Sequence, residues 1–283
     1  MAPVLFDQVS SAARGRAHGE LWRSEIRELA ELRMQLCLAR GAFADAAQVS
    51  AIARLHLPVL ARHLPELFDE LLGIAQGADL TPEQIVVLNH YTDLRDVPPS
   101  VLDAEPDGCT ALYLNGSAGP VLGQTWDMHA SAEPFVRAIR VRAAEGGEAI
   151  CFTLTGCVGM AGMGPHGVGV TINNLSSTDG GLGVVWPALV RAMIAQPSAR
   201  AAYELLLRTP LSSGHHYMIA DGNEFFGVEC SGQLKVLTQV GGKAAHLHTN
   251  HCFDPVLRTR ESVARVSSTF DRLDMATTLY VQQ

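Results

Sequence analysis

The chain has 283 residues, of which 47% are hydrophobic and 18% charged, and its formal net charge is -8 at pH 7. This composition predicts a globular protein with a substantial core, and the acidic balance argues against a basic surface for nucleic acid. No stretch reaches the roughly 18 consecutive apolar residues of a membrane-spanning helix, and the N-terminus lacks a basic segment followed by an apolar run. We therefore expect a cytoplasmic protein with no membrane partner.

The sequence before Gly108 predicts helices. Apolar residues recur at three- and four-residue steps through residues 20–55 and again through 58–76, and Thr81-Pro82-Glu83 is typical of a helix start. Residues 96–107 contain Pro98, Pro99 and Pro106 and few helix formers, which favours an exposed linker, the kind of segment at which chains are cut.

After Gly108 the pattern changes to short strands and glycine turns. Residues 111–126 predict a β-hairpin, a helix is expected within 186–207, and residues 277–281 resemble a strand that begins as the chain stops. Further strands are predicted at 135–143, 149–155, 167–173, 215–220, 224–230 and 233–239. Helices and strands do not alternate, so the pattern indicates the α+β class.

The six cysteines are irregularly spaced, and a chain of this length needs no disulfides, so we expect free thiols that mostly pack as small hydrophobic groups. Cys109 differs from the others because it follows a glycine at the end of the predicted linker. Cleavage of the Gly108–Cys109 bond would leave a thiol and an α-amine on one residue. Since the pKa of an unperturbed α-amine is about 7.7–8.0, that amine could serve as the base for its own thiol. The alternative is that Cys109 is only a small residue that opens a strand.

Two further segments contain candidate groups. The hairpin ends at Asp127, and strand pairing would return this carboxylate close to Cys109. The stretch His246-Leu247-His248-Thr249-Asn250-His251-Cys252 suggests either a zinc site or a site in which the histidines orient Asn250 as an oxyanion donor or a positioning amide. The spacing argues against zinc, because His246 and His248 would share one face of a strand while His251 lies beyond it.

Taken together, these motifs resemble the acyl-coenzyme A:6-aminopenicillanic acid acyltransferase family, peptidase family C45, whose members are N-terminal-nucleophile (Ntn) hydrolases. The resemblance covers about residues 14–260. The matching segments, in chain order, are Arg16-Ala17-His18-Gly19, Asp107-Gly108-Cys109-Thr110, Gly123-Gln124-Thr125-Trp126-Asp127, Gly167-Val168-Gly169-Val170 leading to Asn173, Phe226-Gly227-Val228-Glu229-Cys230-Ser231, and His248-Thr249-Asn250-His251.

The resemblance implies a four-layer αββα sandwich and a proenzyme that cuts itself between Gly108 and Cys109. Residues 1–108 would then be a helical pro-region or α-chain, and residues 109–283 a catalytic β-chain that stays associated with it. Family members continue beyond the length of this chain, through further strands and an arginine near the active site, so we expect a C-terminally truncated form without them.

The resemblance also implies the roles of individual residues. Cys109 would be the nucleophile and its α-amine the base, while Asp127 orients the new terminus and Asn250 donates to the oxyanion. Candidate supporting groups are Ser231, which matches a family serine, Asn173, which is carried over from related choloylglycine-type hydrolases, and Thr110 and His18, which lie in the matching segments. The implied activity is hydrolysis or acyl transfer on a small amide or an acyl thioester, with coenzyme A thioesters as possible substrates and no cofactor or metal. The alternatives are a processing-defective homologue with a binding or structural role, and a zinc hydrolase built on His246, His248 and His251.

Overall fold

The computed structural model describes residues 2–40, 43–94, 96, 108–117, 119–143, 146–241, 245–263 and 267–282. Apart from residue 96, the predicted linker lies outside the described residues, and so does Asp107 of the cysteine motif. Among the described residues, no helix combines the length and apolar character needed to cross a bilayer. All six cysteines are free and buried, as the sequence predicted.

The N-terminal region contains one short strand and five helices. Their bounds are β1 (Val4–Phe6), α1 (Ser11–Leu21), α2 (Arg23–Arg40), α3 (Ala46–His63), α4 (Pro65–Ala78) and α5 (Pro82–Leu94). The continuous helix predicted over 20–55 is wrong in detail, because the chain turns at Trp22 and a new helix starts after Asp45. The Asp45 carboxylate accepts a hydrogen bond from the Gln48 backbone N–H and so caps α3.

Helices α1 and α4 pack backbone to backbone through glycines spaced four residues apart. A Cβ added to Gly15 would lie 1.9 Å from the Glu70 carbonyl oxygen, and one added to Gly77 would lie 2.3 Å from that of Arg16. Gly19 and Gly73 are equally crowded. Only residues without a side chain permit this approach, so the four glycines fix how the first helix docks.

The C-terminal region contributes most of an eight-stranded sheet in the order β1-β4-β5-β6-β7-β8-β9-β10. Every neighbouring pair is antiparallel except β1 and β4, which are parallel. The bounds are β4 (Val136–Arg142), β5 (Glu148–Leu154), β6 (Ala161–Met163), β7 (Gly169–Leu175), β8 (Gly214–Ala220), β9 (Phe225–Cys230) and β10 (Lys235–Val240). Because β1 is one of the eight strands, the predicted pro-region takes part in the main sheet.

A second sheet of three strands covers part of the first. It has the order β11-β2-β3, with bounds β2 (Ala111–Gly116), β3 (Gly119–Gln124) and β11 (Ala245–His248). Ala111 and Tyr113 from this sheet pack on Met218 and Phe225 of the large sheet, and the rings of Tyr113 and Phe225 stack at 4.0 Å. The inner faces of the two sheets therefore enclose the region around Cys109.

Helices cover the opposite face of the large sheet. Helices α6 (Trp186–Ile194) and α7 (Ala199–Arg208) contact its strands, and α4 and α5 pack on α6. One continuous cluster of buried side chains runs from Phe6 through the N-terminal helices to Cys230. The α+β class is thus confirmed, as helices on a large sheet with a smaller sheet on its other face.

The prediction of a terminal strand at 277–281 is wrong. After a short helix α8 (Pro255–Arg258), the chain forms α9 (Thr269–Val281). Threonine and valine favour strands on average, but here they continue a helix, and the Thr277 hydroxyl donates to the Leu273 carbonyl one turn earlier. Helix α9 contacts β11 at the edge of the small sheet.

Candidate active site

Cys109 lies two residues before the start of β2, at the open end of the β2–β3 hairpin. Gly108 and Asp127 form an isolated antiparallel bridge, in which the Gly108 N–H donates to the Asp127 carbonyl at 3.1 Å and the Asp127 N–H donates to the Gly108 carbonyl at 2.7 Å. The hairpin therefore places Asp127 directly across from the bond before Cys109. The Gly108 carbonyl, the group that a self-cleaving nucleophile would attack, already accepts a short hydrogen bond.

Three side chains hold the backbone of Cys109. Its N–H donates to Asn250 Oδ1 at 2.6 Å, and its carbonyl oxygen accepts from Asn173 Nδ2 at 3.0 Å and from Arg272 Nη1 at 2.7 Å. Arg272 Nη2 also donates to Asn250 Oδ1 at 2.9 Å, which links two of these groups. The amide and carbonyl of Cys109 are thus fixed in the intact chain by residues from β7, the segment after β11, and α9.

The thiol of Cys109 is buried, with 8% of the residue exposed. Burial, followed by the nearby Asp127 carboxylate, raises the pKa of the thiol to about 12. The backbone N–H groups of Asp127 and Asn174 and the charge of Arg272 oppose this shift, because they stabilise the thiolate. In the intact chain the thiol is therefore protonated at neutral pH, although donors that can stabilise a thiolate surround it.

A row of buried polar groups between the sheets positions Asn173. His216 Nδ1 lies 3.1 Å from Asn173 Oδ1, and since that oxygen only accepts, the histidine nitrogen carries the hydrogen. The His216 ring stacks on His248 at 3.6 Å, and His248 Nε2 lies 2.8 Å from a Glu229 carboxylate oxygen. Burial lowers the pKa of His216 well below its ordinary value, so this histidine is neutral. The row fixes the amide that points at the Cys109 carbonyl.

The histidines do not converge on a common point. The rings of His246 and His248 are 6.2 Å apart, while His251 contacts Thr249, Thr269 and Phe270. Within the part of the chain that the structure describes, no group of three or more His, Cys, Asp or Glu residues could hold a metal ion. The zinc hydrolase alternative therefore finds no support in the geometry of these residues.

The remaining sequence-predicted residues have distinct positions. Thr110 Oγ1 accepts from Arg272 Nη1 at 3.1 Å, so Thr110 belongs to the group around Cys109. Ser231 donates to Asp179 and accepts from the N–H of Leu234 in the β9–β10 turn, contacts that support the turn. His18 accepts from the Gly156 N–H at 2.8 Å, and burial lowers its pKa to about 4. Ser231 and His18 are thus held by scaffold contacts.

A narrow cavity of about 60 Å³ opens beside Cys109. Its lining combines apolar side chains, among them Trp126 and Phe152, with Arg33, Asp127 and Asn250. A wider groove of about 550 Å³ between the hairpin and strands β5–β7 shares Gln124 and Phe152 with it. A substrate could therefore lie in the groove and extend one small end toward the thiol.

Sequence reasoning missed Arg272, Arg33, Asn174 and His216. The sequence predicted a site without the arginine that family members carry beyond the length of this chain, whereas Arg272, within the chain, donates to the Cys109 carbonyl oxygen. Arg272 lies 163 residues along the chain from Cys109, and its local sequence does not indicate a contact with that residue. Arg33 occupies a regular position in an amphipathic helix, which by itself predicts an exposed charge.

The fold and this site define an α+β protein with a buried thiol among amide and guanidinium donors, an arrangement suited to acyl transfer. The sequence profile described as "Acyl-coenzyme A:6-aminopenicillanic acid acyl-transferase" matches residues 114–279, and the chain belongs to this family. The resemblance drawn from the motifs is thereby confirmed.

The comparisons with known proteins give one similar sequence and one weakly similar structure. The acyl-coenzyme A:6-aminopenicillanic-acid-acyltransferase 40 kDa form of Emericella nidulans is 25% identical over 243 residues, which cover 84% of this chain and 66% of the relative. The chain thus spans slightly less than two thirds of the length of that relative. Penicillin V acylase from Agrobacterium tumefaciens shows 14% identity and a TM-score of 0.27, over 64% of this chain and 51% of that one. A TM-score this low does not establish a common fold.

Proposed function

We propose that this chain is a self-processing cysteine hydrolase or acyltransferase of the N-terminal-nucleophile type, with Cys109 as the nucleophile. The observation that carries the proposal is the arrangement around the intact Gly108–Cys109 bond. The Gly108 carbonyl accepts from the Asp127 N–H at 2.7 Å, and the Cys109 N–H donates to Asn250 at 2.6 Å. Both ends of the bond to be cut are therefore held by groups that the cleavage reaction needs.

Self-cleavage would begin with attack of the Cys109 sulfur on the Gly108 carbonyl carbon. The carbonyl oxygen gains negative charge, which the Asp127 N–H already faces and stabilises. The carbon–nitrogen bond then breaks, and the thiol proton goes to the departing nitrogen of Cys109. Water hydrolyses the resulting thioester, which leaves a carboxylate on Gly108 and a free α-amine and thiol on Cys109. Residues 1–108 become the α-chain and residues 109–283 the β-chain.

In the cleaved protein the α-amine would take the thiol proton, and the thiolate would attack the carbonyl carbon of a small amide or an acyl thioester. Asn250 donates to the developing oxyanion, and Asp127 orients the α-amine. Collapse expels an amine or a thiol, which receives the proton from the α-ammonium group, and leaves acyl-Cys109. Water or an amine then accepts the acyl group. Coenzyme A would enter as part of a thioester substrate, and no resident cofactor or metal takes part.

The supporting residues follow from their contacts. Asn173, positioned by His216, and Thr110, bound by Arg272, would keep the Cys109 carbonyl in place after cleavage. Ser231 and His18 would support the turns on which the sheet depends. We also propose that the protein has the second helical layer of an αββα sandwich, and that α9, beside β11, is the first helix of that layer.

Intact-mass measurement of the purified protein tests the proposal. We expect two fragments whose masses correspond to cleavage between Gly108 and Cys109, and a single uncut chain from Cys109→Ala. Cys157→Ala is the matched control, since Cys157 is a buried thiol that lines the same cavity, and this variant should still be cut. Turnover of an acyl-coenzyme A thioester, followed by release of the free thiol, should disappear in Cys109→Ala only. A wild-type chain that stays intact and shows no turnover would favour the non-catalytic homologue, and turnover that persists in Cys109→Ala would rule out Cys109 as the nucleophile.

A further inference from the structure

Arg33, on α2, is a buried arginine that has no ion-pair partner among the described residues. The residue is 3% exposed, and its Nη1 is fully buried without a hydrogen-bond partner. The other buried arginines differ, since Arg14 and Arg191 both pair with Glu70, at 2.7 Å and 3.4 Å. Within the described ranges, no carboxylate forms such an ion pair with Arg33.

Such an arrangement is costly unless something else supplies the negative charge. Arginine keeps its proton at any ordinary pH, so it cannot escape the cost of burial by becoming neutral. An unpaired buried charge typically destabilises a fold by several kcal/mol. A cost of this size points to a function outside the requirements of folding, and the missing component is an anion.

The position of Arg33 indicates which molecule could bring the anion. Arg33 lines the narrow cavity that also contains Cys109, Asp127 and Asn250. Among the described lining residues it is the only lysine or arginine, and most of the others, such as Leu88 and Met160, are apolar. An anion that reaches Arg33 must therefore enter the same cavity as the group that Cys109 would attack.

The orientation of the guanidinium favours a carboxylate. Its central carbon lies 3.8 Å from the centre of the Tyr91 ring, so one face of the group is covered by the tyrosine. The N–H donors of a guanidinium lie along its edges, and two of them match the two oxygens of a carboxylate. A cavity of about 60 Å³ whose described lining holds one cation, Arg33, and the carboxylate of Asp127 suits this small singly charged group better than a doubly charged phosphate.

We infer that Arg33 forms a carboxylate subsite, and that the substrate of Cys109 is an acid with a carboxylate placed to pair with Arg33. The identification of the ligand as the substrate of Cys109 rests on the proposed function, whereas the anion subsite requires only Arg33 and the cavity. Arg33 then contributes binding energy and substrate selection, and it takes no part in bond breaking.

Binding to the uncut chain tests the subsite separately from catalysis. The Cys109→Ala protein is titrated by calorimetry with benzoate, phenylacetate, butyrate and N-acetylglycine, each compared with its carboxamide. We expect at least one carboxylate to bind at least 10-fold more tightly than its amide, and Arg33→Met in the same background to remove this preference. Arg27→Met is the control, because Arg27 lies on the same helix but is half exposed and pairs with Asp79. It should leave binding unchanged.

Two results would overturn the subsite. One is that no carboxylate of the set binds better than its amide, and the other is that Arg33→Met binds them equally well. A purely structural role also predicts that Arg33→Met lowers the melting temperature of the ligand-free protein. We expect no decrease, since methionine removes an unpaired charge and keeps much of the side-chain volume.

Kinetics then separate the subsite from the proposed function. With cleaved protein, kcat/KM for an N-acyl nitroanilide that carries a ring carboxylate should fall roughly 10- to 100-fold in Arg33→Met, with no loss for the same anilide without the carboxylate. Arg33→Lys should recover part of the difference. If the wild type is never cut and never active while the carboxylates still bind through Arg33, the proposed function fails and the subsite stands.

Discussion

Asn250→Ala is the sharpest single test of the catalytic arrangement. Asn250 joins three parts of the site, because Oδ1 accepts from the Cys109 N–H at 2.6 Å and from Arg272 at 2.9 Å, and Nδ2 donates to the Asn174 carbonyl at 2.8 Å. Alanine removes all three contacts at once. It also removes the side-chain donor that we assign to the oxyanion.

The expected effect is large on turnover and modest on stability. Loss of one oxyanion donor typically lowers kcat by about 10²–10³, or about 2.7–4 kcal/mol. The site is partly open to the cavity, so water can replace the lost hydrogen bonds, and the free energy of unfolding should fall by only about 1–2 kcal/mol. In a chain of this size that loss corresponds to a decrease in the melting temperature of roughly 2–8 °C.

The assay measures kcat for each cleaved molecule, with the cleaved fraction taken from intact mass, and the melting temperature on the same sample. Asn115→Ala is the control, since Asn115 is an exposed asparagine on β2 of the same hairpin. If Asn250→Ala keeps kcat within threefold of the wild type, Asn250 does not stabilise the oxyanion. If Asn250→Ala fails to fold while Asn115→Ala folds, kcat is measured for Asn250→Asp instead, because this variant preserves the side-chain shape and removes the donor.

Two further predictions concern the scaffold. Gly77→Ala places a Cβ 2.3 Å from the Arg16 carbonyl oxygen, so the overpacking cost of about 3 kcal/mol exceeds the helix-propensity gain of about 1 kcal/mol. Denaturant unfolding should show that the free energy of unfolding falls by about 2 kcal/mol in Gly77→Ala. Gly116→Ala is the control and should show no comparable loss, because Gly116 has open space around it. Equal stabilities of the two variants would refute tight α1–α4 packing. Burial lowers the pKa of His18 from 6.5 to about 4, so the unfolded chain binds a proton at a higher pH than the folded protein does. The free energy of unfolding therefore falls as the pH drops from about 6.5 to 4. His18→Gln keeps an acceptor for Gly156 and should remove up to about 3 kcal/mol of this pH dependence in acid unfolding, whereas an unchanged profile would contradict the burial argument.

Local patterns were enough to predict the parts of the site that are close in sequence. The β2–β3 hairpin follows from alternating residues around a glycine-containing turn, and pairing then fixes the position of Asp127 opposite Gly108. The α+β class follows in the same way from segments whose periods of two and of about 3.6 residues are each local properties.

The remainder depends on contacts between distant segments. Strand β1 has three residues and no detectable period, and only its pairing with β4 defines it. Arg272 reaches Cys109 because α9 packs beside β11, which no local pattern records. The tail was predicted as a strand because threonine and valine were judged by average preference, whereas the helix that starts at Thr269 continues through them.

The pairing of β1 with β4 also determines how a cut molecule would behave. Val4 and Phe6 are in register with Ile139 and Val141, and the same buried cluster contains side chains from both sides of Gly108. The two pieces would share one sheet and one hydrophobic interior, so they could separate only by unfolding together. Cleavage would therefore change the covalent connectivity of the molecule and leave a non-covalent heterodimer with a single melting transition.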